Sequence, residues 1–177
     1  MGQLFSALKE RHIEFIEQQH IYFVATAPKE GRINLSPKGL DSLRVLNNNR
    51  ILWLNLTGSG NETAAHLLED HRMTLMFCSF EEKPLILRAY GTASTIHPDE
   101  PSWDDLYSNF SQGNGARQLI DLKVDLVHSS CGFGVPRMEF LGKRETLDEW
   151  IEKKGEKGIR QYWEEKNMIS MDGKPTR

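Results

Sequence analysis

The chain has 177 residues, 38% hydrophobic and 27% charged, with a net charge of −3. That length suits one domain with a real core, and the lack of a basic excess points away from nucleic acid and anionic membranes. No apolar run reaches transmembrane length and no secretory apolar region opens the chain. Cys78 and Cys131 make no disulfide framework, so a reduced, cytoplasmic setting is expected.

Leu4, Phe5, Leu8, His12, Phe15 and Ile16 recur at helical spacing and predict an opening amphipathic helix. Residues 22–27 read as a strand, 28–31 as a turn, and 32–36 as the returning strand, which Pro37 and Gly39 break. Residues 51–57 alternate Leu52, Leu54 and Leu56 with Trp53, Asn55 and Thr57, as a strand does. A helix over 62–70 follows, then strands over 73–80 and 85–96, the second with Gly91 inside it as a bulge or bend. Residues 103–110 predict a short helix and 118–128 the last strand. Helices over 147–154 and 159–167 are split by Gly155 and Gly158, and the last ten residues read as polar and mobile, or pinned by a partner chain. The hairpin-like succession of six strands, interrupted by one short helix, argues for an antiparallel barrel or sheet with peripheral helices. A single domain over 1–177 is expected, with a helical extension from about residue 146.

Two short patterns carry little. Met1-Gly2-Gln3-Leu4-Phe5-Ser6 fits N-myristoylation without a polybasic second signal, and the sequons at Asn55, Asn61 and Asn109 lack a secretory context.

The richest segment is 51–68. A strand runs into Gly58-Ser59-Gly60-Asn61 and then into a helix, which together can cradle a phosphate. Unpaired N–H groups and the positive dipole end lie at such a helix start, and Thr57, Ser59, Asn61 and Thr63 can add donors. The alternative is an ordinary loop with Asn61 as N-cap. No lysine follows Gly60, which excludes a Walker A loop, and Thr63 stands where the dinucleotide fingerprint needs its third glycine.

Other candidates follow in chain order. In Asn34-Leu35-Ser36-Pro37-Lys38-Gly39, Lys38 either neutralises an anion beside the sheet or is a solvated turn lysine. Arg88, inside an apolar strand, needs a counter-charge such as a phosphate, or an exposed face. In Ser129–Pro136, Gly132 and Gly134 flank Phe133, a layout suited to backbone passing close over a flat ligand. Cys131 there is either a reactive thiol or a small buried or half-buried one, and nothing nearby guarantees its activation. His66 and Asp70, one helical turn apart, read as surface residues, and no metal spacing exists. No catalytic acid or base stands out, so redox chemistry would come from a cofactor.

Residues 32–39, 51–68, 72–78, 86–91, 115–118 and 130–136 together resemble the pyridoxamine 5′-phosphate oxidase-like FMN-binding split-barrel family, in order over about residues 8–170. The resemblance implies a six-stranded split barrel, a homodimer with FMN at its interface, and an FMN-dependent oxidoreductase using a small molecule or a nicotinamide donor. It implies that Lys38, with Ser36 beside it, lies near the flavin. Thr57, Ser59, Asn61 and Thr63 then hold the phosphate, and Arg88, Cys131 and Gly132 complete the cofactor-binding set. This chain has small polar residues where the vitamin B6 enzymes carry Arg-Lys, and no histidine after His128. Oxidation of pyridoxamine phosphate itself is therefore not expected. Rival readings are a flavin-binding sensor module without turnover, a split barrel using a deazaflavin or haem, and an interaction protein without a cofactor.

Overall fold

Alternating apolar and polar residues build one antiparallel sheet in a computed structural model describing residues 2–111, 113 and 115–177. Its strands are β1 (Gln3–Phe5), β2 (Tyr22–Thr26), β3 (Asn34–Lys38), β4 (Leu43–Asn47), β5 (Arg50–Leu56), β6 (Arg72–Cys78), β7 (Ile86–Ile96) and β8 (Ala116–Ser130). The helices are α1 (Glu10–Glu17), α2 (Glu62–Glu69), α3 (Trp103–Tyr107) and α4 (Thr146–Lys166). The strand order is β3-β2-β6-β7-β8-β5-β4, with β1 added along β8.

The mainly β, antiparallel architecture with peripheral helices is as expected, but the sheet has eight strands rather than six and does not close. Leu4 and Phe5 belong to β1, paired with His128 and Val127, and the opening helix starts only at Glu10. Three residues on a sheet edge carry too short a pattern to separate from helical spacing. β4 was also unforeseen. It pairs with β5 across a tight link where the Asn49 amide donates to Asn47 Oδ1 at 2.8 Å, an Asx turn.

Inward side chains of the curled sheet form the main core, including Val24, Ile51, Trp53, Leu75, Phe77, Leu87, Ile120, Leu122 and Val127. A second cluster sets Leu52, Leu54, Ile96 and Leu119 against Trp103, Leu106 and Phe110, which explains why β5 is buried on both faces.

Gly91 sits at the expected bulge. The β7–β8 register shifts between Tyr90 and Gly91, and a Cβ at position 91 would lie 1.9 Å from the Lys123 carbonyl oxygen. Only glycine permits that approach. In α4, Gly155 takes φ 64°, ψ 171° and breaks the helix where the sequence predicts a split. No described helix is long and apolar enough to cross a membrane. Met1, the first residue of the acylation pattern, lies outside the described residues.

The last ten residues are held by contacts within their own chain, which corrects the expectation of a mobile tail. Ile169 bridges Pro175, Lys174 Nζ meets Glu69 Oε1 at 2.6 Å, and Asp172 pairs with Arg32. Thr176 Oγ1 donates to the Asn167 carbonyl at 2.6 Å, and Arg177 pairs with Asp99.

Candidate functional site

The inward face of β3 begins the site. Strand alternation sets Asn34, Ser36 and Lys38 opposite the buried Thr26, Val24 and Tyr22 of β2, so these three polar residues point into the curl of the sheet. Across the gap, β5 offers Trp53 and Asn55, and the Gly58–Asn61 loop leads into α2. Between them lies a cavity of about 560 Å³, lined on a further side by Ile169, Ser170 and Met171 of the C-terminal segment. A cavity of this size takes a nucleotide-sized ligand.

Electrostatics give the cavity its sign. Lys38 Nζ lies 5.1 Å from the Trp53 ring centroid, a cation–π contact across the open seam. Burial first, and the Arg117 charge second, lower its pKa to about 8. Arg117, at the start of β8, is only 6% exposed. Its Nη1 donates to the Gly60 carbonyl at 3.0 Å and to Asn167 Oδ1 at 2.7 Å. Burial lowers its pKa to about 10. Among the described residues neither cation has a carboxylate partner. Two buried polar atoms here are also unpartnered, Ser36 Oγ and Arg117 Nε. Glu62 is the one acid in the lining, and it is engaged in accepting the Met171 amide at 3.0 Å. A buried and a half-buried cation without an acid partner are costly in the empty protein and favour an anionic ligand.

The α2 start adds donors. Asn61 occupies the N-cap position but makes no side-chain cap. Its amide instead faces Gln118, whose Nε2 donates to Asn61 Oδ1 at 2.9 Å. The first-turn amides of α2 are left for a ligand or water.

Of the residues singled out from sequence, Ser36, Lys38, Ser59, Asn61 and Thr63 line this cavity together. Thr63 Oγ1 accepts from Asn34 Nδ2 at 3.4 Å, tying α2 to β3. Thr57 stands behind the lining and is spent on structure. Its hydroxyl donates to the Gly115 carbonyl at 3.0 Å and accepts from Trp163 Nε1 at 2.9 Å. Arg88 points to the other face of the sheet, in register with Met76 and His128, with Nη1 3.4 Å from Ser130 Oγ. Cys131 and Gly132 lie beyond the end of β8, away from the cavity, and Cys131 is exposed rather than buried or half-buried. His66 is buried, not a surface residue, and Thr26 Oγ1 lies 3.0 Å from its Nδ1. Asp70 pairs with Arg72 at 2.6 Å. No cluster of three metal-ligating side chains occurs among the described residues.

Sequence reasoning missed Arg117, Asn167 and the 169–171 lining segment. Arg117 was legible as a cation entering a run that is otherwise buried. Asn167 and residues 169–171 gave no local signal, because their role rests on contacts with α2 and the loop before it, more than a hundred residues upstream.

A curled, unclosed antiparallel sheet with an anion-ready cradle at its seam defines a split-barrel protein. The chain belongs to the pyridoxamine 5′-phosphate oxidase family, whose model matches residues 8–131. It is 38% identical over 151 residues to the pyridoxamine 5′-phosphate oxidase family protein ustO of Aspergillus flavus, a match covering 82% of this chain and 61% of that protein's length. The fold is similar to HupZ of Group A Streptococcus (TM-score 0.55, 18% identity, covering 67% of this chain and 91% of that one). It is also similar to an FAD-binding protein from Mycobacterium smegmatis (TM-score 0.51, 9% identity, 71% and 97%).

Proposed function

We propose that the chain is an FMN-binding flavoprotein and acts as an FMN-dependent oxidoreductase on a small molecule or nicotinamide donor. The observation that carries this reading is a half-buried cation, Lys38, and a buried one, Arg117, facing one cavity with no carboxylate partner among the described residues. The phosphate is assigned to the α2 amides with Ser36, Ser59, Thr63 and Arg117, and the flavin's pyrimidine edge to Lys38. Bound flavin supplies two-electron chemistry at its N5. The chain's own part is to orient the ring between β3 and β5 and to hold positive charge at Lys38 Nζ, which favours an anionic reduced ring. Cytoplasmic residence is part of the same proposal.

A homodimer is a separate part of this reading, formed through the face of the sheet opposite the cradle. Support comes from the outward face of the sheet, where Leu35, Ala25, Thr74, Tyr90 and Leu126 form one cross-strand row. Leu35 is 62% and Leu126 38% exposed in the single chain, an apolar face suited to a second copy.

The test is the absorption spectrum of the purified protein and the mass of its released ligand, followed by titration with FMN and riboflavin. A yellow protein that retains FMN is expected. Ser59→Val with Thr63→Val should weaken FMN retention far more than riboflavin retention. A colourless protein with no FMN binding refutes the proposal, and equal loss of both ligands shows the phosphate is elsewhere.

A further inference from the structure

The wall of the cradle at Lys38 is shared with a second, larger cavity of about 790 Å³. Its character is different. Phe80, Met138, Phe140, Leu147 and Trp150 make it apolar and aromatic, whereas the cradle is polar. The His20 and Phe140 rings lie 3.7 Å apart at 12°, so one wall is already a flat stacked pair. Trp150 is braced by the edge of Tyr162, with centroids 5.1 Å apart.

The charges facing this chamber are Lys38, Lys143 and Arg144 against Glu81 and Glu139, with His20 as the remaining titratable group. Among the described residues none of the three cations is ion-paired. With the cradle empty, so that Lys38 counts toward the chamber, one positive charge is left over at the rim of a flat apolar space of ligand size.

We infer that this chamber binds a planar aromatic monoanion, and that this is the molecule which meets the cradle's ligand across Lys38. The ring stacks on the His20–Phe140 pair and Trp150, and the anionic group faces Lys143 and Arg144. That the occupant is the flavin's reaction partner rests on the flavin reading. That the chamber selects a flat anion does not.

Three matched probes test it by calorimetry on the full chain, with and without FMN: 1-naphthoate, 1-naphthalenemethanol and 1-naphthylmethylammonium. One naphthoate per chain is expected, bound about tenfold or more tighter than the ammonium probe. Lys143→Glu with Arg144→Glu should reverse that order, and Phe140→Ser, at a half-exposed position that risks little folding, should weaken all three. FMN retention should survive Phe140→Ser. Absence of naphthoate binding, no charge preference, or indifference to both variants overturns the inference. So does loss of naphthoate binding on loading FMN, which would mean that the flavin ring fills the chamber itself. A protein that takes naphthoate but not FMN refutes only the flavin reading and the partner role built on it, while one that retains FMN but not naphthoate refutes only the chamber.

Discussion

Lys38 Nζ lies 5.1 Å from the centre of the Trp53 ring, joining β3 to β5 across a line where no strand hydrogen bonds run. The seam of the sheet is thus spanned by a side-chain contact instead of a ladder. The residue that spans it is also the one whose charge is costly in the empty protein.

Removing that charge should stabilise the ligand-free fold. Lys38→Met is expected to raise the apo unfolding midpoint at pH 7 by about 2–6 °C while weakening FMN binding. The lysine pKa falls from 10.5 unfolded to about 8 folded, so the unfolded chain holds more protons between those values. Wild-type apo stability should therefore rise with pH from about 8 to 10.5, and the Met variant should lack that rise. Thermal melts across this range check both.

Affinity for FMN should run the other way. An anion favours charged Lys38, which in the free protein is lost as pH rises through about 8. The dissociation constant should then grow, by up to about tenfold per pH unit. Lys38→Arg, which stays charged, should remove this dependence. A flat wild-type profile from about pH 7.5 to 9.5, measured by flavin fluorescence quenching at fixed ionic strength, would count against Lys38 as a ligand contact.

Arg117 is held by a carbonyl and by Asn167, so its fork is aimed but not neutralised. Arg117→Met should weaken FMN binding by roughly 10- to 100-fold with little loss of apo stability. Asn167→Ala removes the acceptor that aims it, along with the Nδ2 donor to the Gly58 carbonyl at 3.1 Å. That variant should lose about 1–3 kcal/mol of stability in denaturant titrations, and limited proteolysis should show a loosened tail.

The outward row of the sheet gives a prediction on assembly. Leu126→Glu places a charge on the face where a second copy is proposed to sit, and should convert dimer to monomer in light scattering without changing the circular dichroism. A wild-type monomer at micromolar concentration would remove the dimer from the reading.

The position of the bulge predicts an intolerant site. Gly91→Ala drives a methyl into the Lys123 carbonyl, and should cost about 3 kcal/mol or more. Gly58→Ala meets no atom within 4 Å and should leave stability nearly unchanged, which makes it the control.

Much of this was legible beforehand, and the reasons are specific. β5, the Gly58–Asn61 loop and α2 declared themselves because alternation, glycines and a helical apolar stripe change over within twenty residues. Ser36, Lys38, Ser59, Asn61 and Thr63 converge because they flank that change or face it across the seam. The engagement of the Thr57 hydroxyl was not legible because its partner, the Trp163 indole, comes from more than a hundred residues downstream. Arg88 carries no mark of which sheet face it takes, since a bulge between it and the far end of its strand interrupts the pairing. His66 reads as polar and exposed until Thr26 supplies a buried hydroxyl.

That bulge gives β8 something like a reading frame with one spare letter. Ile120, Leu122 and Val124 face the core, then Asp125 and Leu126 both turn outward, and Val127 resumes the inward phase. Asp125 is the letter without an opposite number on β7. Excising it would straighten the strand yet leave Val124, Leu126 and Val127 on their present sides. Excising His128 instead finds no slack beyond it, so Ser129 and Ser130 would swap sides where β1 and β7 pair with them. Single-codon deletions in this strand should therefore be tolerated at the spare position and punished just past it.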